Sequence, residues 1–101
     1  MLALSTPNLD NLIFQRKTDI LSTVLDSETV ILNINSGVYN SLNDVGTHIW
    51  EVLAKPISFE ELKKSILDSY DTVEKECTKD LIAFLNELLS ANLVFCLNDN
   101  I

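Results

Sequence analysis

The sequence predicts a small α+β domain, a three-stranded antiparallel sheet followed by three helices, on three observations. Residues 20–42 hold three runs rich in β-branched and apolar residues, parted by short polar breaks. From Asn43 onward apolar residues recur at three- and four-residue spacing, the period of an amphipathic helix. A proline and a capping motif then divide that helical half into segments. A sheet laid over a three-helix bundle in this order is the winged helix-turn-helix arrangement.

Each element follows from local chemistry. Ile20 to Leu25 reads as a strand that the turn residues Asp26-Ser27-Glu28 interrupt. Thr29 to Ile34 is the second strand, Asn35-Ser36-Gly37 the clearest turn, and Val38-Tyr39-Asn40-Ser41-Leu42 the third strand. Asn43 and Asp44 offer N-caps for a first helix whose face carries Val45, His48, Ile49, Val52 and Leu53. Lys55-Pro56 ends it, because the residue before a proline avoids the helical region. Ser58 and Glu61 form a capping-box pair for a second helix with Leu62, Ile66 and Leu67 inside, ending near Ser69-Tyr70. Asp71 or Thr72 is expected to cap a third helix reaching Ser90-Ala91, with Glu74 and Glu76 at its positive end. Leu93 to Cys96 reads as a short extended closure of the core. Residues 1–18 show no sustained period and read as a loosely ordered N-terminal arm, with a short turn around Leu12 to Phe14; 19–96 form the domain and 97–101 a tail.

The chain's 101 residues suffice for one domain with its own hydrophobic core. A net charge of −8 argues against nucleic acid, whose phosphates need clustered Lys and Arg, and against an anionic membrane surface. It favours basic partners, although acidic surfaces also serve solubility. No signal peptide and no membrane-length apolar run is evident, so a cytoplasmic location is expected. Cys77 and Cys96 have neither CxxC spacing nor a histidine cluster; two free thiols is the simple reading, and a single disulfide stays open.

Catalytic chemistry is not legible. The one histidine, His48, lies among core residues and reads as structural. Zinc-binding, nucleophile-elbow and phosphate-loop motifs are missing, and the carboxylate pairs Glu60-Glu61 and Glu74/Glu76 suit helix starts. No enzyme activity, cofactor or metal is expected.

The third helix carries a wide apolar arc. Leu81, Leu85 and Leu88 form its centre, Ile82 and Leu89 one flank, and Cys77, Phe84 and Val73 the other. Glu76, Asp80 and Glu87 border the Phe84 flank, which suits a peptide with apolar anchors and some positive charge. The alternative is that the whole arc is core. The three-stranded sheet also leaves open edges, and Val38 to Leu42 has neither Pro nor Lys to blunt one. A peptide could add there as a further strand; otherwise the arm or a second copy covers the edge.

These residues resemble a known family. Val30-Ile31-Leu32-Asn33-Ile34-Asn35-Ser36-Gly37-Val38-Tyr39-Asn40-Ser41-Leu42-Asn43, followed by Gly46 and Ile49-Trp50, is similar to the "(S/T)GxYxxLN" and "xxGxxIW" stretches of PqqD-like proteins, also called RiPP recognition elements. Asp80, Phe84-Leu85 and Leu88 resemble the family's third-helix pattern. The resemblance covers about residues 19–95. It implies a non-catalytic protein that binds the leader segment of a ribosomally made precursor peptide as an added strand. It implies backbone pairing along Val38, Tyr39, Asn40, Ser41 and Leu42, and contacts from Cys77, Asp80, Phe84, Glu87 and Leu88. Trp50 reads as core, and Gly37 and Gly46 as structural. A stand-alone chain of this kind resembles those of lasso-peptide pathways, with a cysteine-type leader peptidase and an ATP-dependent cyclase as partners; a radical-SAM enzyme is the alternative. Outside this reading stand a dimerisation module pairing through its free strand edge and a winged-helix DNA-binding regulator. The second lacks a basic recognition helix, since the second helix offers only Lys63 and Lys64.

Overall fold

The computed structural model describes residues 2–26, 28–34 and 36–98. Strands β1 (Ile13–Arg16), β2 (Ile20–Leu25), β3 (Glu28–Asn33) and β4 (Val38–Leu42) precede helix α1 (Asp44–Val52). Strand β5 (Ile57–Ser58), helices α2 (Phe59–Ser69) and α3 (Glu74–Ser90), and strand β6 (Val94–Cys96) complete the chain. The expected α+β arrangement of an antiparallel meander followed by three helices is present.

β2, β3 and β4 form the meander with β3 central. Asp26 and Gly37 take positive φ, 50° and 71°, at its two turns. Along β3, Thr29, Ile31 and Asn33 are buried against the helices, while Val30 and Leu32 are only half-buried. This alternation fixes which face of the sheet meets the core. A buried relay joins that face to α1: Thr29 Oγ1 donates to Thr47 Oγ1 at 2.9 Å, and Thr47 Oγ1 donates to the Leu42 carbonyl at 3.4 Å. Thr47→Val would leave the Thr29 hydroxyl buried without its acceptor. We expect a loss of about 1–3 kcal/mol in urea denaturation, where a neutral result would show the relay to be dispensable.

The helices start and stop largely as the sequence indicates. Asn43 caps α1, its side chain accepting from Gly46 N at 2.9 Å, and Ser58 caps α2, accepting from Glu61 N at 3.1 Å. The expected cap for α3 is corrected: Val73 occupies the N-cap position, with no side-chain cap bond, and neither Asp71 nor Thr72 does. The α3 start is instead tied down by charge, as Lys63 of α2 bridges Glu74 at 3.3 Å and Asp10 at 3.6 Å. Burial alone would lower the Lys63 pKa; hydrogen bonding and the charges of Glu74 and Asp10 outweigh it, so the net shift is upward. At its C-terminus α3 closes with Asn92 at φ 58°, Asn92 N donating to Leu89 O and Leu93 N to Leu88 O.

A second correction concerns residues 1–18. The expected loose arm supplies a 3-10 turn, Leu9–Asn11, and then β1, the central strand of a second sheet ordered β5-β1-β6. Phe14 is 0% exposed, and Leu12 and Leu2 are buried beside it. The Arg16 guanidinium lies 5.2 Å from the Trp50 ring centre and donates to the Trp50 carbonyl at 3.1 Å. Asn86 of α3 holds Leu2 by both main-chain groups, accepting from Leu2 N at 2.9 Å and donating to Leu2 O at 3.0 Å. In the tail, Asn98 accepts from Ile13 N at 2.8 Å and donates to Asn11 O at 2.9 Å; residues 99–101 lie outside the described residues. One core unites these parts, with Trp50, Phe59, Leu53, Leu62, Leu81, Leu85 and Leu93 at its centre.

Candidate functional site

The sheet ends on one side at β4, whose far edge has no strand partner among the described residues. The chain reverses at Asn43, so α1 begins immediately beside Leu42. α3 runs along the same side. Between β4, α1 and α3 lies a groove with a cavity of about 460 Å³. Ser41 and Leu42 form one wall, Val45, Gly46 and Ile49 the end toward α1, and Cys77, Asp80, Leu81, Phe84 and Glu87 the α3 wall. A shallower extension passes between Asn40 and the α3 residues Asn86, Glu87, Ser90 and Ala91. β4 and α3 are therefore antiparallel along the groove. At the far end, Asn33 Nδ2 donates to Ala91 O at 3.3 Å and ties β3 to the end of α3.

Of the site residues expected from sequence, Asn40, Ser41, Leu42, Cys77, Asp80, Phe84 and Glu87 come together here. Phe84 is half-buried at the lip, and Asp80 and Glu87 are exposed above it. Three others do not line the groove. Leu88 is 3% exposed and belongs to the core. Val38 stands exposed beside the hairpin turn, and Tyr39 pairs with Leu32 on the sheet's outer face, 69% exposed. Val45, Gly46, Ile49, Ile66, Thr72 and Leu81 line the groove without having been singled out for it. The apolar periodicity of Val45, Ile49, Ile66 and Leu81 was visible in sequence, but periodicity shows which face is apolar and not what covers it.

Gly46 has a specific steric role. A Cβ at this position would lie 3.1 Å from Leu42 Cβ, 3.3 Å from Asn43 Oδ1 and 3.4 Å from Phe84 Cζ. A side chain here would press on Leu42 and Asn43, which would have to give by a few tenths of an ångström, so glycine eases the close approach of the α1 main chain to the β4 end.

Cys77 sits at the groove floor, its thiol donating weakly to the Lys63 carbonyl at 3.8 Å. Burial pushes its pKa up; Lys63 opposes this, while Asp80 and Glu74 reinforce it. A thiol so shifted stays protonated at neutral pH and is a poor nucleophile. No disulfide joins Cys77 to Cys96. His48 Nε2 lies 2.7 Å from Ser65 Oγ, and its ring meets Tyr70 edge-on at 5.6 Å. Among the described residues no cluster could hold a metal, and no helix is long and apolar enough to cross a membrane.

The pattern of the family described as Coenzyme PQQ synthesis protein D (PqqD) matches residues 28–94, from the start of β3 into β6. The chain belongs to the PqqD family. Among solved structures, this PqqD-family chain is similar to one described as TbiB1 in complex with the TbiA(beta) leader peptide. The TM-score is 0.74 at 29% identity, over 84% of this chain and 99% of that one. A lasso peptide synthetase B1 complexed with the leader peptide shares the fold, with a TM-score of 0.71 at 22% identity, over 81% of this chain and 96% of that one. Comparison with curated proteins gives no match. The PqqD match begins at β3 and so leaves β1 and β2 outside it.

Proposed function

We propose that this protein captures the leader segment of a ribosomally made precursor peptide as a fourth strand on β4 and presents it to processing enzymes. The observation that carries the reading is the groove between an open strand edge and a helix wall. Unpaired main-chain groups along β4 would supply hydrogen bonds in any sequence context, and the apolar floor against α3 would supply discrimination. Ser41, Leu42, Cys77, Asp80, Phe84 and Glu87 are the proposed contact residues, with Asn40 at the extension. The two similar structures, both leader-peptide complexes by description, support the assignment.

In this reading the chain acts by binding and works in the cytoplasm. Its partners are the leader peptidase and ATP-dependent cyclase of a lasso-peptide pathway, or alternatively a radical-SAM enzyme. The test is titration of labelled leader peptides, encoded next to this chain, with amide hydrogen exchange followed in parallel. Saturable binding should slow exchange along Val38 to Leu42. Failure of every neighbouring leader to bind would remove the reading.

A dimerisation module is the second reading. Its support is the other open edge, β2, where Leu21, Val24 and Leu25 are each more than half exposed. A monomer mass unchanged with concentration in sedimentation would count against it.

A further inference from the structure

We propose that the groove selects an extended peptide in which one apolar side chain is flanked, two residues to either side, by Lys or Arg. The proposal rests on the strand-addition reading and narrows its ligand. A strand beside β4 would turn alternate residues toward α3, so its facing side chains would recur about every 6.7 Å. Asp80, Phe84 and Glu87 meet such a strand in that order. At about 1.5 Å per residue, Phe84 lies about 6 Å beyond Asp80 along the helix axis, and Glu87 about 4.5 Å beyond Phe84. Seven residues nearly complete two helical turns, so Asp80 and Glu87 project from the same side of α3. Two flanking side chains on the strand are about 13 Å apart at the backbone, and the flexible stem of Lys or Arg spans the difference.

The chemistry of the lining agrees with this spacing. Between the two carboxylates Val45, Ile49, Leu81 and Phe84 give the cavity apolar walls, with Ser41, Asn43 and Thr72 as its uncharged polar lining. Among the described residues no Lys or Arg lines the groove or its extension. Among the described residues neither Asp80 nor Glu87 takes part in a salt bridge, whereas Lys63, whose charge acts on Cys77 at the groove floor, is paired with Asp10 and Glu74. Beyond Glu87 the extension is lined by Asn40, Asn86, Ser90 and Ala91, so charge selection stops there. The pattern basic-x-apolar-x-basic reads the same in both directions and holds for a parallel or an antiparallel ligand.

The test uses synthetic twelve-residue peptides on one frame, read by fluorescence anisotropy at low ionic strength. Their central five positions are Lys-x-Leu-x-Lys, Glu-x-Leu-x-Glu or Lys-x-Ala-x-Lys. The first should bind about tenfold more tightly than the second, the gap expected for two exposed charge pairs turned from attraction to repulsion. In the Asp80→Asn/Glu87→Gln double variant, with its helical circular dichroism retained, that gap should close to about twofold or less. If the two charge patterns bind alike and only the alanine peptide is weaker, strand addition stands and the charge rule is overturned. If no peptide of the panel binds while full leaders do, the charge rule is overturned as well. If full leaders also fail, the groove reading goes with it.

Discussion

Phe84→Ala is expected to weaken leader capture by about ten- to a hundredfold while leaving the domain folded. The ring is half-buried at the lip of the groove, so a seated peptide would cover the part that the free protein leaves to solvent. Covering and then losing an aromatic anchor of this kind is worth about 1.5–3 kcal/mol, which sets the expected range in affinity. The neighbouring residue supplies the control. Leu85 is 0% exposed and does not line the groove, so Leu85→Ala should cost about 3 kcal/mol of stability yet leave the affinity of the folded protein unchanged. Peptide titration and urea denaturation of both variants separate the two effects. Equal leader binding by Phe84→Ala and the parent protein would show that the α3 wall takes no part in recognition.

Phe14→Ala should be the more damaging change to the fold, at about 3–5 kcal/mol. Domains of this size commonly have only about 5–15 kcal/mol in total, so the variant should lose a large share of its denaturation midpoint. The reason is position: Phe14 is fully buried and sits on the middle strand of its sheet, paired with Ile57 on one side and Cys96 on the other. A loss below about 1 kcal/mol would mean that β1 is an accessory, as a loose arm would be.

The contrast between these residues shows what the sequence could and could not convey. The meander and three helices were legible because their signals are local, in the Gly37 turn, the Asn43 and Ser58 caps and the apolar period of each helix. β1 was not. It is four residues long, its neighbours β5 and β6 are distant in the chain, and no turn beside it announces a partner. Strand pairing of that kind becomes visible only once the helices have brought the ends together. α3 shows a different limit. Its apolar arc contains Phe84 and Leu88 alike, and nothing in their spacing says which meets the core and which the groove. The boundary depends on where β4 and α1 stop, which is a property of the assembled domain. The carboxylates were easier to place because exposed charges on an otherwise apolar flank mark the rim of a surface.

The close approach at Gly46 has a consequence for how such a groove fits its occupant. Where side chains line a recess, rotamer changes can widen or narrow it as different guests arrive. At Gly46 the lining is main chain, held in the first turn of α1 by its Asn43 cap. Main chain in a capped helix has no rotamers to exchange. The aperture there is a rigid gauge inherited from the fold, and adjustment falls to the guest and to the Phe84 ring opposite.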